Sequence, residues 1–178
     1  NGTTISDINE KINKEINVIN LITVGRLAPW KNIDTIIDAM NLLRLADIKF
    51  HLFIVGSGDL YDELNEKILN LNLDNYITLT GQKNSLELKE YYKKSHIYIQ
   101  ASGYEGLPHV LLEAINYELL VISTPIGGSN EILEDGKNGL ILDLIEGKKP
   151  SSSYLYQLIL KIIDNKDLQN EKIGNAKY

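Results

Sequence analysis

Short apolar runs alternate along this chain with longer segments whose apolar positions recur every three or four residues. The run Val18-Ile19-Asn20-Leu21-Ile22-Thr23-Val24 reads as a buried strand. Past a loop at 25–31, Ile33, Ile36, Ile37, Met40 and Leu43 share one helical face, with Asn32 at the N-cap and Asp34 in the first turn. A second strand covers 50–55 and is closed by Gly56-Ser57-Gly58; Asp59 then caps a helix carrying Leu60, Leu64, Ile68 and Leu71. The third strand is 76–80, and Asn84 and Glu87 have capping-box spacing ahead of a short helix through Tyr91 and Tyr92. Strands at 97–100 and 120–123 flank a helix at 108–116; a short helix lies around 131–133, and 139–142 is the sixth strand. Pro150, Ser151, Ser152 and Ser153 interrupt the pattern before a last helix with Leu155, Leu158, Ile159 and Ile162 on one side.

Such β-α alternation predicts an α/β fold, a Rossmann-like doubly wound parallel sheet of about six strands with helices on both faces. Residues 18–164 make up that domain, and 165–178 form a polar C-terminal tail that frays. In sheets of this kind the ligand lies beyond the carboxyl ends of the strands. The loops there open at Gly25, Gly56, Gly81, Ala101 and Ser123.

The 178 residues suit one domain with a real core, and 43% hydrophobic with 24% charged residues is a globular composition. A formal net charge of −6 without a basic run argues against nucleic acid as a partner. The absence of cysteine excludes disulfides, thiolate–zinc sites and a cysteine nucleophile, and fits a reducing compartment. No apolar run approaches the roughly 20 residues of a membrane-spanning helix. The start, Asn1-Gly2-Thr3-Thr4, lacks Met and any signal-peptide pattern, as expected of an excised fragment.

The segment Glu105-Gly106-Leu107-Pro108-His109-Val110-Leu111-Leu112-Glu113 carries the strongest chemical signal. Pro108 suits the first helical position, and the N–H groups behind it present the positive end of the helix dipole to a phosphate. Glu113, about 7.5 Å along the helix axis, is placed to accept hydrogen bonds from a ribose if it faces the cleft. Glu105 would meet sugar hydroxyls across the phosphates. The plain alternative is an acidic loop residue and an exposed helical Glu. Arg26 and Lys31 bracket the loop after the first strand and read as a diphosphate clamp, against the alternative of two surface cations. In Gly56-Ser57-Gly58 a dinucleotide fingerprint would need Gly where Tyr61 stands, so a tight turn with close backbone approach is the better reading. Gly127-Gly128 is a second glycine-rich loop at the same mouth, or a plain turn. His51 and His96 adjoin strands and read as structural, whereas His109 sits inside the carboxylate pair; the three show no metal-ligand spacing.

In order and spacing these pieces resemble the C-terminal, nucleotide-sugar-binding half of the large retaining glycosyltransferase family with GT-B fold, the group 1 glycosyltransferases. The likeness runs from about Val18 to Leu142. It rests on Val24-Gly25-Arg26-Leu27 with Lys31-Asn32, Val55-Gly56-Ser57-Gly58, Ile77-Thr78-Leu79-Thr80-Gly81, Glu105-Gly106-Leu107-Pro108 with Leu111-Leu112-Glu113-Ala114, and Gly127-Gly128 with Glu131-Ile132.

The resemblance implies that Arg26 and Lys31, beside Gly25, bind the donor diphosphate. It also implies that Glu105 contacts the transferred sugar, that the N–H groups of Gly106 and Leu107 orient sugar and phosphate, and that Glu113 holds the ribose. The loop at Gly81, Gln82 and Lys83 would lie near the base. The implied donor is a UDP- or GDP-sugar, with no other cofactor and no metal. The acceptor, a glycan or a lipid-linked one, would be held by an N-terminal half outside this chain, with residues 1–17 as the inter-domain segment. The expected location is cytoplasmic, with peripheral association of the full-length protein at the inner face of the membrane. One departure is local: Glu118 and Leu120 stand where the family carries Gly and Pro, so the turn there is expected to be strained or reshaped. Two other classes stay open, a nucleotide-sugar epimerase or sugar phosphorylase of the same fold, and a dinucleotide binder for which Asp74 would be the acidic ribose ligand.

Overall fold

The computed structural model describes residues 18–104, 109–133, 139–145 and 149–164. In chain order the elements are β1 (Ile19–Val24), a 3-10 turn (Pro29–Lys31), α1 (Ile33–Leu45), β2 (Phe50–Val55), α2 (Tyr61–Asn70), β3 (Ile77–Gly81), α3 (Ser85–Lys94) and β4 (Ile97–Gln100). They continue with α4 (His109–Asn116), β5 (Leu120–Ser123), α5 (Ser129–Ile132), β6 (Leu140–Ile141), β7 (Leu144–Ile145), β8 (Lys149–Pro150) and α6 (Ser152–Asp164). Six strands form one sheet in the order β3-β2-β1-β4-β5-β6, and each neighbouring pair is parallel. The winding reverses between β1 and β4, which makes that gap the topological switch point.

Alternation along the strands divides the core in two. Leu21, Leu52, Ile97, Ile99 and Ile122 face a cluster with α1, α2 and α6, to which Ile36, Met40, Leu64 and Leu155 belong. Ile22, Tyr98 and Val121 face the opposite cluster with Tyr92 of α3 and Leu111 and Ala114 of α4. The predicted helical faces of α1 and α6 are buried throughout, because a period of 3.6 keeps those positions against the sheet. Each fully buried aliphatic side chain contributes about 1.5–3 kcal/mol.

Three helices end alike. Asp47, Asn72 and Glu118 follow α1, α2 and α4 in the left-handed conformation, with φ of 57°, 54° and 59°. In each case the next residue's N–H reaches back to the last turn: Ile48 to Leu43 O at 3.0 Å, Leu73 to Ile68 O at 2.9 Å, Leu119 to Ala114 O at 3.1 Å. This is the Schellman arrangement, sealed by an apolar residue just past the turn. The turn expected to be strained at Glu118 is therefore made, with a side chain that glycine would spare.

Local signals hold in some places and yield in others. Asn84 accepts from the backbone N–H groups of Leu86 and Glu87, and Glu87 accepts from the N–H of Asn84, completing the capping box. Asn32 does stand before α1, but in the left-handed region and without a capping bond; its Nδ2 donates to Ala101 O at 2.9 Å instead. Asp59 does not cap α2, whose N-cap is Leu60, and lies 3.7 Å from Arg26. The stretch around Pro150 is part of a two-residue antiparallel ladder, β7 with β8, that no periodicity announces. The proposed inter-domain segment and tail lie outside the described residues. Among the described residues no helix is long and apolar enough to cross a membrane.

Two outcomes follow. Glu118→Gly removes a left-handed penalty of about 1–2 kcal/mol and adds unfolded-chain entropy of about 0.4–1 kcal/mol. A net gain of about 0.5–1 kcal/mol in urea unfolding is expected, larger than for Asn72→Gly, since Asn tolerates this conformation better. His96 accepts the Asn20 N–H on Nδ1 at 2.9 Å, and burial lowers its pKa below the ordinary 6.5. Burial likewise lowers His51, with help from Lys94. The unfolded chain then binds protons first, so stability is full above pH 6.5 and declines as pH falls through the window below it. His96→Asn, with an amide oxygen in place of Nδ1, is expected to flatten part of that decline in urea midpoints.

Candidate functional site

At the carboxyl ends of the strands two loops cross at backbone distance. Gly25 N donates to Val55 O at 2.9 Å, Leu27 N to Ser57 O at 2.9 Å, and Leu60 N to Leu27 O at 3.2 Å. A Cβ at Gly56 would lie 1.8 Å from Gly25 O, and one at Gly58 would lie 2.4 Å from Leu27 O. Both glycines are thus required by this crossing, the close backbone approach the sequence suggested. Gly56 N continues the crossing outward to Gly81 O at 3.0 Å.

Across the switch point a second tie joins the loop after β1 to the loop after β4. Asn32 is only 7% exposed, and its bond to Ala101 O is matched by one from Gly103 N to Trp30 O at 2.7 Å. Thr124 Oγ1 donates to Ser102 O at 2.7 Å and ties in the loop after β5. Deeper on that side, Gln100 Nε2 donates to Ser129 Oγ at 3.3 Å, anchoring the start of α5 behind Gly127-Gly128. The mouth is held by backbone and buried polar groups, which leaves its longer side chains outward.

A cavity of about 460 Å³ opens there, lined by Val24, Gly25, Arg26, Gly56, Ser57, Gln82, Lys83 and Leu88. Its size lies within the range of small-molecule sites, roughly 300–1,000 Å³. Three of the sequence candidates, Gly25, Arg26 and Gln82, meet on it. Lys31 borders it through Gly25, since a Cβ there would sit 3.4 Å from Lys31 Nζ. Gly81 ends β3 just ahead of Gln82, in the left-handed region with φ 71°. Arg26 is exposed, and its 3.7 Å pair with the exposed Asp59 is loose, so a stronger anion can displace that carboxylate.

Glu113 stands apart from this lining, on an exposed position of α4, and accepts from the Tyr92 hydroxyl at 3.2 Å. Tyr92 was not among the sequence candidates; only its tyrosine neighbours and place on a helix were visible. Glu105, Gly106, Leu107 and Pro108 lie outside the described residues. His109 is exposed at the first turn of α4 and does not line the cavity.

Comparison with known proteins fits this geometry. The family described as glycosyl transferases group 1 matches residues 5–178. An uncharacterized glycosyltransferase of Methanocaldococcus jannaschii, MJ1178, is 32% identical over 86% of this chain, which spans 41% of that relative. HepE of Anabaena, solved with UDP and glucose, superimposes with a TM-score of 0.78 over 97% of this chain and 46% of its own, at 22% identity, a likeness of fold. The pneumococcal O-GlcNAc transferase GtfA, solved with UDP and GlcNAc, gives a TM-score of 0.76 at 25% identity over 89% of this chain and 32% of its own. The chain therefore spans less than half the length of each of these three proteins.

The crossing has a direct test. Gly56→Ala places a methyl group against a carbonyl that cannot retreat, and should destabilise by roughly 2–4 kcal/mol. Gly81→Ala meets nothing within 4 Å and should lose only the left-handed penalty, about 1–2 kcal/mol. Urea titrations of the two variants check the difference.

Proposed function

The chain belongs to the group 1 glycosyl transferases, and on that premise we propose that it is the donor-binding half of a GT-B enzyme. In this reading the enzyme transfers a sugar from a nucleoside diphosphate to an acceptor, with retention at the anomeric carbon. The observation that carries it is the cavity at the carboxyl ends of β1, β2 and β3, with Arg26 on its wall and Lys31 beside Gly25 at its edge. Two cations there neutralise a diphosphate as it becomes the leaving group, the kind of preorganised charge that lowers the barrier to transfer. The side chain that a residue other than glycine would carry is missing at position 25, so phosphate and Lys31 can both approach the backbone.

The remaining roles in this reading are those that the family resemblance implies. Gln82, on the wall of the cavity with Gly81 before it, takes the base. Glu113 takes the ribose. Glu105 takes hydroxyls of the transferred sugar, with the N–H groups of Gly106 and Leu107 beside it. We take the donor as a UDP- or GDP-sugar, UDP first, because HepE and GtfA were both solved with UDP. No metal is needed in this scheme, since Arg26, Lys31 and the start of α4 carry the positive charge. The acceptor, a glycan or lipid-linked one, would sit on an N-terminal half joined through residues 1–17, so this chain would hold the donor without transferring its sugar efficiently. Such an enzyme would work in the cytoplasm, at the inner face of the membrane. The dinucleotide reading is disfavoured by Tyr61, which stands where the fingerprint needs its third glycine. No observation favours an epimerase or a phosphorylase.

Calorimetry on this chain with UDP, GDP, a UDP-sugar and NAD tests the reading; NAD binding tighter than either nucleoside diphosphate would sink it. Arg26→Ala with Lys31→Ala should cost about 2–5 kcal/mol of UDP affinity if both make charge-assisted phosphate contacts. Glu113→Ala should weaken UDP and UDP-sugar alike, by about ten- to a hundredfold, whereas Glu105→Ala should weaken only the UDP-sugar. Equal effects of the two carboxylate variants on both ligands would mean that their roles are wrongly assigned.

A further inference from the structure

Glu113 projects from an exposed helical position, where a long carboxylate side chain samples several rotamers and gives up that freedom on binding. The neighbouring helix restrains it. Tyr92, 1% exposed, donates its phenol hydroxyl to Glu113 Oε2 at 3.2 Å. That is long beside the usual O–H···O length of about 2.7–2.8 Å, as such bonds often are before a ligand closes a site. We propose that Tyr92 is a positioning residue for Glu113, holding one carboxylate oxygen so that the other is presented to a ribose hydroxyl. This rests on the assignment of Glu113 to the ribose made above.

The tyrosine is itself held on three sides. Its ring stacks on Tyr117, with centroids 5.2 Å apart and planes 14° from parallel. Tyr117 lies one turn beyond Glu113, and its N–H donates to Glu113 O at 3.0 Å, so carboxylate and ring share one face of α4 and close on Tyr92 together. The left-handed turn at Glu118 ends the helix just past Tyr117 and fixes where that face stops. On α3, Tyr92 lies one turn beyond Leu88, which lines the cavity, so the same helical face runs from the cavity to the carboxylate. Burial, the neighbouring Tyr98 and the Glu113 carboxylate all push the phenol pKa up, which favours the protonated, donating hydroxyl. A buried tyrosine hydroxyl needs a partner, and a phenylalanine would fill the same apolar space without one.

The test is Tyr92→Phe, which keeps the ring and its stacking, titrated with UDP and with 2′,3′-dideoxy-UDP. The expected result is a three- to tenfold loss of UDP affinity, no loss for the dideoxy ligand, and no further loss when the change is added to Glu113→Gln. Equal losses for both ligands would assign Tyr92 a structural part only and overturn the proposal, as would unchanged UDP affinity. If Glu113→Gln weakens UDP while Tyr92→Phe does not, the ribose assignment stands and the positioning role falls. If Glu113→Gln is silent as well, the assignment and the positioning role fall together.

Discussion

The carbonyl oxygen of Gly25 occupies the space where a side chain at position 56 would begin. That contact sets the separation of the loops after β1 and β2, and with it the shape of the cavity. Two backbone bonds, from Gly25 to Val55 and from Leu27 to Ser57, keep the loops in register, and neither uses a side chain. The crossing leaves no room for a Cβ at either Gly56 or Gly58, so both positions stay glycine for the sake of the neighbouring backbone. A glycine-rich loop after a strand can serve a phosphate or another loop, and here its glycines admit the backbone of a neighbouring loop.

Asn32 does the corresponding work on the other side of β1. A left-handed residue with a short amide can turn the chain into α1 and point its side chain back at the sheet. Its bond to Ala101 O, with the Gly103–Trp30 bond beside it, couples the loop after β1 to the loop after β4 across the switch point. The helices contribute in a different way. Their ends are fixed by left-handed residues followed by apolar anchors, and α4 in particular is stopped where Tyr117 can lie on Tyr92. Exposed carboxylates gain direction from such fixed neighbours rather than from their own helix.

Much of this fold was legible in the residue pattern, and the reason is locality. The faces of α1 and α6, the strands at 97–100 and 120–123, and the capping box at Asn84 depend on spacings of two, three or four residues. The two clusters on opposite sides of the sheet follow from strand alternation once the β-α order is known. The same local rules placed Asn32 correctly at the N-cap but not its side chain, and they misassigned Asp59 as a cap. The Asn32 amide bonds Ala101 O across the sheet instead of its own helix, and Asp59 lies one position outside the cap of α2. The two-residue ladder of β7 and β8 was too short to have a period at all.

The sequence by itself determined the α/β order, the sidedness of the helices and the presence of two cations and a glycine at one strand end. These are properties of neighbours along the chain, and hydrophobic burial enforces them wherever the chain folds. Only the tertiary structure decided that Gly56 and Gly58 face the backbone of 25–27, that Gln82 shares a cavity with Arg26, and that Glu113 rests on a tyrosine 21 residues before it. Contacts of that kind join segments from different crossovers, and they come into being when parallel strands align the loops at one end of the sheet. No periodicity along the chain records them, because what they require of each residue is a size or a single polar atom in a place that the rest of the fold supplies.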